Sequence, residues 1–133
     1  AESYTLYLKT HNYHWNVTGP MFHSLHLLFE QQYTELATAV DTIAERIRAL
    51  GDKAPGSYAA FARLSSVKDA EGEPDATEML KTLTADHRIV AERANKVLKL
   101  AAGHEDEGTA AIASERIEIH EKAAWMLSAH LGD

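Results

Sequence analysis

The chain has 133 residues, a length that suits one domain with a real hydrophobic core. It contains no cysteine, which excludes a disulfide framework and a thiolate metal site. Its formal net charge of -7 argues against a large basic surface for nucleic acid and suits a protein that attracts cations, although an acidic, merely solubilising surface is more common. We see no apolar run that could span a membrane and no signal peptide, and we therefore expect a cytoplasmic protein.

The first half of the chain predicts two long helices joined by a tight turn. Residues 2–15 contain enough large apolar side chains to predict a first helix. The Asn-Val-Thr-Gly-Pro segment at 16–20 ends this helix. Because the connection is short, the second helix is expected to run antiparallel to the first. Residues 21–50 carry apolar side chains at spacings of three, four and seven, which favours one long helix whose apolar seam runs from Phe22 to Leu50. Gly51 suits a left-handed helix stop.

The second half predicts a long crossover followed by two more long helices. Residues 52–74 form this crossover, with a short helix at 57–64. Asp75 and Glu78 form a capping-box pattern that opens the third long helix, whose seam includes His87 and Val97 and which ends at Gly103. The last helix covers residues 109–131. We therefore predict an all-α, ferritin-like four-helix bundle, one domain over residues 1–133, with a short extra helix in the crossover between the second and third long helices.

One flank of the second long helix carries four potential metal ligands. With about 100° of rotation per residue, His26, Glu30, Asp41 and Glu45 fall on a stripe about 100° wide beside the apolar seam. Carboxylates and an imidazole together suit a divalent cation that accepts both oxygen and nitrogen ligands. The alternative interpretation is a solvated flank of ordinary surface charges, in which a neighbouring arginine balances the like-charged Asp41–Glu45 pair.

The spacing of these ligands indicates a site between two subunits. The His26/Glu30 pair and the Asp41/Glu45 pair lie 15 residues apart, which is about 22 Å along a continuous helix. Metal–ligand bonds of about 2 Å cannot bridge that distance. Two antiparallel copies of the helix about a two-fold axis bring the first pair of one chain to the second pair of the other. His14, at the end of the first helix, is expected close to His26.

The remaining histidines have less specific interpretations. His11 and His23 form i,i+3 pairs with His14 and His26 that suit only weak zinc binding, because neither has an acidic partner at matching spacing. His87 and His120 lie on apolar seams and are predicted to be hydrogen-bonded core residues. No Glu-x-x-His motif, Gly-rich phosphate loop or Gly-x-Ser-x-Gly motif is present.

Three segments together resemble one known family. They are H-N-Y-H-W-N-V-x-G-x-x-F-x-x-L-H-x-x-F-E at 11–30, D-x-x-A-E-R-I-x-x-L-G at 41–51 and W-M-L-x-A-H-L at 125–131. This pattern resembles the Dps family, the small dodecameric ferritins (DNA-binding proteins from starved cells). The resemblance implies a four-helix bundle with a short crossover helix, assembled as a dodecameric shell of tetrahedral symmetry.

The resemblance also implies a ferroxidase that oxidises Fe(II), generally with hydrogen peroxide, and stores ferric mineral inside the shell. By resemblance, the centre takes three ligands from one subunit and two from its two-fold neighbour, with a tryptophan beside it as electron donor. Those residues are His14, His26 and Glu30, then Asp41 and Glu45, and finally Trp15. Many members have Asp where this chain has Glu30. Glu107 and Glu121 are the candidates for a pore that admits cations.

Two other functions remain as alternatives. The first is a nucleoid-associated shell that coats DNA; many DNA-binding members carry a lysine-rich tail, this chain shows none, and we expect little or no DNA binding at neutral pH. The second is a shell with weak iron chemistry that acts as a surface antigen or adhesin. The intact candidate ligands argue against it.

Overall fold

In the computed structural model, which describes all 133 residues, α-helix is the only regular secondary structure. The helices are α1 (Glu2–Asn16), α2 (Phe22–Ala49), α3 (Tyr58–Leu64), α4 (Ala76–Gly103) and α5 (Glu107–Ala129). Helix α1 packs on α2, α4 packs on α5, and α3 lies in the crossover against α1. The predicted four-helix bundle with a short crossover helix is confirmed, and each helix begins and ends within two residues of its expected position. No helix combines the length and the apolar character that crossing a membrane requires.

Local sequence signals account for the helix ends. The Asp75 carboxylate accepts a hydrogen bond from the Glu78 N–H at 2.9 Å, and the Glu78 carboxylate accepts one from the Asp75 N–H at 3.0 Å. This is the predicted capping box, which satisfies two otherwise unpaired donors. At the end of α2, Gly51 has φ +100° and the Asp52 N–H donates to the Ile47 carbonyl at 3.2 Å. The predicted left-handed stop is therefore confirmed.

Replacing Gly51 with alanine is expected to lower the free energy of unfolding by about 1 kcal/mol, because a Cβ strains a residue at positive φ. Gly103 is the matched control, since it ends α4 without positive φ and a Cβ there meets nothing within 4 Å. Gly103→Ala should leave stability unchanged or raise it slightly. Denaturant midpoints at a fixed protein concentration measure both effects, and equal destabilisation by the two substitutions would contradict the backbone explanation.

The hydrophobic core fills the half of the bundle where α1 and α2 meet α4 and α5. Its largest completely buried side chains include Leu6, Leu25, Phe29, Leu80 and Leu127. Burying each such side chain contributes about 1.5–3 kcal/mol relative to leaving it exposed.

The predicted apolar seams are wrong at three positions. Phe22, Leu50 and Val97 are 42%, 57% and 45% exposed, respectively. Phe22 instead stacks on the His26 ring, with 5.1 Å between ring centroids. At the other end of the bundle the C-terminal half of α2 does not close onto α4, and a groove of about 430 Å³ lined in part by Leu50 and Val97 separates them.

Candidate metal centre

The turn between α1 and α2 brings two candidate ligands into contact. The His14 Nδ1 lies 2.8 Å from the His26 carbonyl oxygen, and the His26 Nδ1 lies 2.7 Å from the His14 carbonyl oxygen. The two imidazole rings stack with centroids 3.8 Å apart and an angle of 13° between their planes. The proximity expected from the short turn is confirmed.

These two hydrogen bonds fix the tautomer of both imidazole rings. A carbonyl oxygen only accepts, so each Nδ1 carries the proton and donates it. In the neutral imidazole, Nε2 then keeps its lone pair and is available to a metal ion. Ligating histidines are commonly oriented by a hydrogen bond from the other ring nitrogen to a carbonyl group. The hydrogen bonds at the α1–α2 turn therefore leave Nε2 of both His14 and His26 able to bind a metal ion.

The carboxylate candidates lie along α2 on the protein surface. Glu30, Asp41 and Glu45 are all exposed, and α2 is unbroken from Phe22 to Ala49. The two pairs of candidate ligands therefore stay about 22 Å apart in one chain. Within a single chain no three His, Asp or Glu side chains converge to hold a metal ion. Bringing both pairs to one metal ion would need a second chain, and that shared site stays a prediction.

His14, His26 and Glu30 together are called the half-site below. Aromatic side chains lie beside it. Trp15, which directly follows His14, is 59% exposed, and its ring centroid lies 3.9 Å from that of His11. Burial, and then the neighbouring His14, lower the pKa of His11. His11 therefore belongs to an aromatic stack and stands apart from the exposed His23.

Tyr33 is a neighbour of the half-site that the sequence reasoning missed. Its ring lies edge-on to His14 with 5.1 Å between centroids. Burial, followed by Glu30 and Tyr7, raises the pKa of the Tyr33 phenol. The signal was present in the spacing, because Tyr33 follows His26 by seven residues and so shares its helical stripe.

The candidate pore residues and the core histidines lie on α4 and α5. Glu107 and Glu121 are exposed on α5, and their role in a pore stays a prediction. His87 and His120 are buried, as expected, with their Nδ1 atoms 2.8 Å apart. Arg116, which the seam pattern missed, donates from Nη2 to the His120 Nε2 at 2.9 Å.

The protons of this buried network follow from its donors. Because arginine only donates, the His120 Nε2 accepts, the His120 Nδ1–H donates to His87, and the His87 proton sits on Nε2. Burial, with help from the charge of Arg116, lowers the pKa of His87 to about 3. Burial, then His87 and Arg116, lowers the pKa of His120 to about 2. Both rings are neutral at pH 7, and the prediction that they are hydrogen-bonded core residues is confirmed.

Comparison with known proteins identifies the class. The sequence model of the ferritin-like domain family matches residues 1–133 of this chain. The DNA protection during starvation protein 2 of Bacillus anthracis is 37% identical over 131 residues, covering 98% of this chain and 90% of that protein. The chain therefore belongs to the ferritin-like proteins.

Solved structures narrow this class. The Dps structure from Thermosynechococcus elongatus superposes with a TM-score of 0.95 at 28% identity, over 98% of this chain and 83% of that one. The Dps protein of Vibrio cholerae O1, described as a member of a broad superfamily of ferritin-like diiron-carboxylate proteins, gives 0.93 at 33% identity, over 98% and 82%. Within the ferritin-like proteins this chain belongs to the Dps family.

Proposed function

We propose that this chain is a ferroxidase subunit that oxidises Fe(II), with hydrogen peroxide as the preferred oxidant, and stores ferric iron in a dodecameric shell. The observation that carries the proposal is the reciprocal His14–His26 pair, which leaves two Nε2 lone pairs free, one of them one helical turn before Glu30 on α2. Membership of a family with a diiron-carboxylate relative supports iron as the metal. Iron here is the substrate, and imidazole and carboxylate ligands suit it.

In the proposed site, His14, His26 and Glu30 of one subunit face Asp41 and Glu45 of its two-fold neighbour. The continuous α2 helix supports this arrangement, because an antiparallel pair of such helices places both ligand pairs together twice. Two Fe(II) ions held side by side supply the two electrons that reduce peroxide to water. This pairing avoids release of hydroxyl radical.

We expect Asp41→Ala to slow Fe(II) oxidation by more than about tenfold, since even residues that only orient metal ligands are worth about 10–100-fold. Ferric absorbance is followed after peroxide is added to Fe(II)-loaded protein under anaerobic conditions. Glu118→Ala, which removes an equally exposed carboxylate from α5, is the matched control and should match the unmodified protein. Equal rates in all three proteins would mean that the α2 carboxylates are surface charges only.

Mixed assemblies test whether the site is shared between subunits. A two-fold pair made from one His26→Ala chain and one Asp41→Ala chain has one site with both defects and one intact site. Shells reassembled from both variants should therefore regain activity that neither variant has alone. If each site lay within one chain, mixing would restore nothing.

A DNA-coating role is the second candidate, on the strength of the name of the Bacillus anthracis relative. The net charge of -7 opposes it, because DNA binding requires basic side chains against phosphates. Retention of DNA at neutral pH that weakens steeply with added salt would favour this role.

A further inference from the structure

A continuous row of aromatic rings leads from the candidate metal centre to the protein surface. Starting at Trp15, neighbouring ring centroids are 3.9 Å apart to His11 and 4.0 Å from His11 to Tyr33. The row then crosses from α2 back to α1, with 6.2 Å between Tyr33 and Tyr7. Each neighbouring pair in this stretch is therefore within 6.2 Å, measured between ring centroids.

The outer end of the row reaches the crossover helix. Tyr7 lies 5.6 Å from Tyr4, and Tyr4 lies 6.4 Å from Tyr58 of α3, measured between ring centroids. Tyr58 is 72% exposed, whereas Tyr4, Tyr7 and Tyr33 are partly buried. Four of the five tyrosines of the chain therefore stand in one row that ends in solvent, and only Tyr13 stands outside it.

We propose that Tyr33, Tyr7, Tyr4 and Tyr58 form a relay that carries single oxidising equivalents from Trp15 to the surface, where a small thiol reduces Tyr58. The relay rests on the proposed ferroxidase function, because that reaction supplies the oxidant. Its purpose is to protect the shell when a single Fe(II) ion meets peroxide and the paired reaction fails.

The chemistry balances at each step. A lone Fe(II) ion reduces hydrogen peroxide by one electron, which gives Fe(III), hydroxide and hydroxyl radical. Trp15 gives that radical one electron and its indole proton, forming water and a neutral tryptophan radical. Tyr33 then reduces the tryptophan radical across the His11 ring, which does not change its oxidation state; Tyr33 loses its phenolic proton and the Trp15 indole nitrogen regains one. Each later transfer moves one electron between tyrosines, with a phenolic proton lost by the donor and one regained by the acceptor. At Tyr58 a thiol gives a hydrogen atom, which restores the phenol and leaves a thiyl radical.

The surroundings of the row support transfer as well as packing. The Tyr33 ring lies edge-on to His14 with 5.1 Å between ring centroids, so the row directly meets a proposed iron ligand. Packing alone needs the rings and not the hydroxyl groups, and a Tyr→Phe change separates the two roles.

Transfer is first tested in iron-free shells. In a Trp125→Phe background Trp15 is the only tryptophan, and a pulse of azidyl radical oxidises it. The tryptophan radical should convert to a tyrosine phenoxyl radical at a rate that does not depend on protein concentration. Tyr33→Phe should abolish this conversion, whereas Tyr13→Phe should preserve it. Unchanged conversion in Tyr33→Phe, or its loss in Tyr13→Phe, would overturn the relay.

The second test uses iron and limiting peroxide with a spin trap, followed by mass mapping of the adducts. Tyr58 should be labelled in preference to Trp125, which is 63% exposed but lies off the row, and Tyr33→Phe should remove the Tyr58 adduct. Added thiol should suppress that adduct. Equal labelling of Tyr58 and Trp125 that persists in Tyr33→Phe would mean freely diffusing radicals and overturn the relay. Absence of iron oxidation with intact iron-free transfer would refute the ferroxidase function alone.

Discussion

Replacing Lys9 with methionine is expected to lower the free energy of unfolding by about 3–5 kcal/mol, because removing one partner of a buried ion pair leaves an uncompensated charge. The Lys9 Nζ lies 2.9 Å from the Asp86 Oδ2, and both side chains are more than nine-tenths buried. The same Nζ donates to the Lys68 carbonyl at 2.8 Å, so that one ammonium group joins α1, α4 and the crossover. Methionine preserves the length of the side chain but neither interaction.

The decrease in the free energy of unfolding caused by Lys9→Met should become smaller as the pH is lowered. Burial raises the pKa of the Asp86 carboxyl above its usual value, and Lys9 opposes this effect. Without Lys9 the folded-state pKa rises further. The folded state then binds the Asp86 proton more tightly than the unfolded state does, so this carboxyl destabilises the fold at neutral pH and the penalty fades as the pH falls through its folded-state pKa.

Denaturant midpoints at fixed protein concentration, compared between pH 7 and pH 5, measure this effect. Lys9→Met combined with Asp86→Leu is the control, because replacing both charges with apolar groups is often close to neutral. If Lys9→Met lowered the free energy of unfolding by less than about 0.5 kcal/mol, as an ordinary surface substitution does, the stabilising role of the buried ion pair would be contradicted.

The free energy of unfolding should fall as the pH is lowered, and the slope of this fall against pH should reflect two buried histidines. His87 and His120 have folded-state pKa values of about 3 and about 2, below the 6.5 of a free histidine. Between these limits the unfolded state binds two more protons, so stability is complete above pH 6.5 and falls as the pH drops. Each neutral histidine contributes up to about 1.4 kcal/mol per pH unit, and the pair approaches about 2.7.

The slope is measured between pH 6.5 and pH 5, above the range in which most carboxylates titrate. His87→Leu should halve the slope, even though it also lowers stability by leaving the His120 Nδ1–H without its acceptor. His104→Asn, at an exposed position, should leave the slope unchanged. An unchanged slope in His87→Leu would mean that other groups govern the acid response.

Features that involve residues close together in the chain are predictable from the sequence alone. The Asp75–Glu78 capping box and the positive φ of Gly51 each arise within about one helical turn, and both are confirmed. The stripe of His26 and the carboxylates on α2 follows from helical periodicity alone, and the helix is continuous. Whether those ligands hold iron between two subunits stays a prediction, because one chain contains only half of the proposed site.

The helices, their order and the α2 stripe follow from the sequence without further information, since each arises from hydrogen bonds and spacing within a few residues. Which charges are buried depends instead on how the helices pack. From the sequence, Arg116 is expected to be an exposed polar residue of α5. In the structure it is buried and pairs with Glu35 of α2, which lies 81 positions away in the chain. The exposure of Val97 and the row of rings from Trp15 to Tyr58 likewise depend on how α1, α2, α3 and α4 approach one another. Such contacts join residues far apart in the chain, and periodicity within one helix carries no information about the helix that faces it.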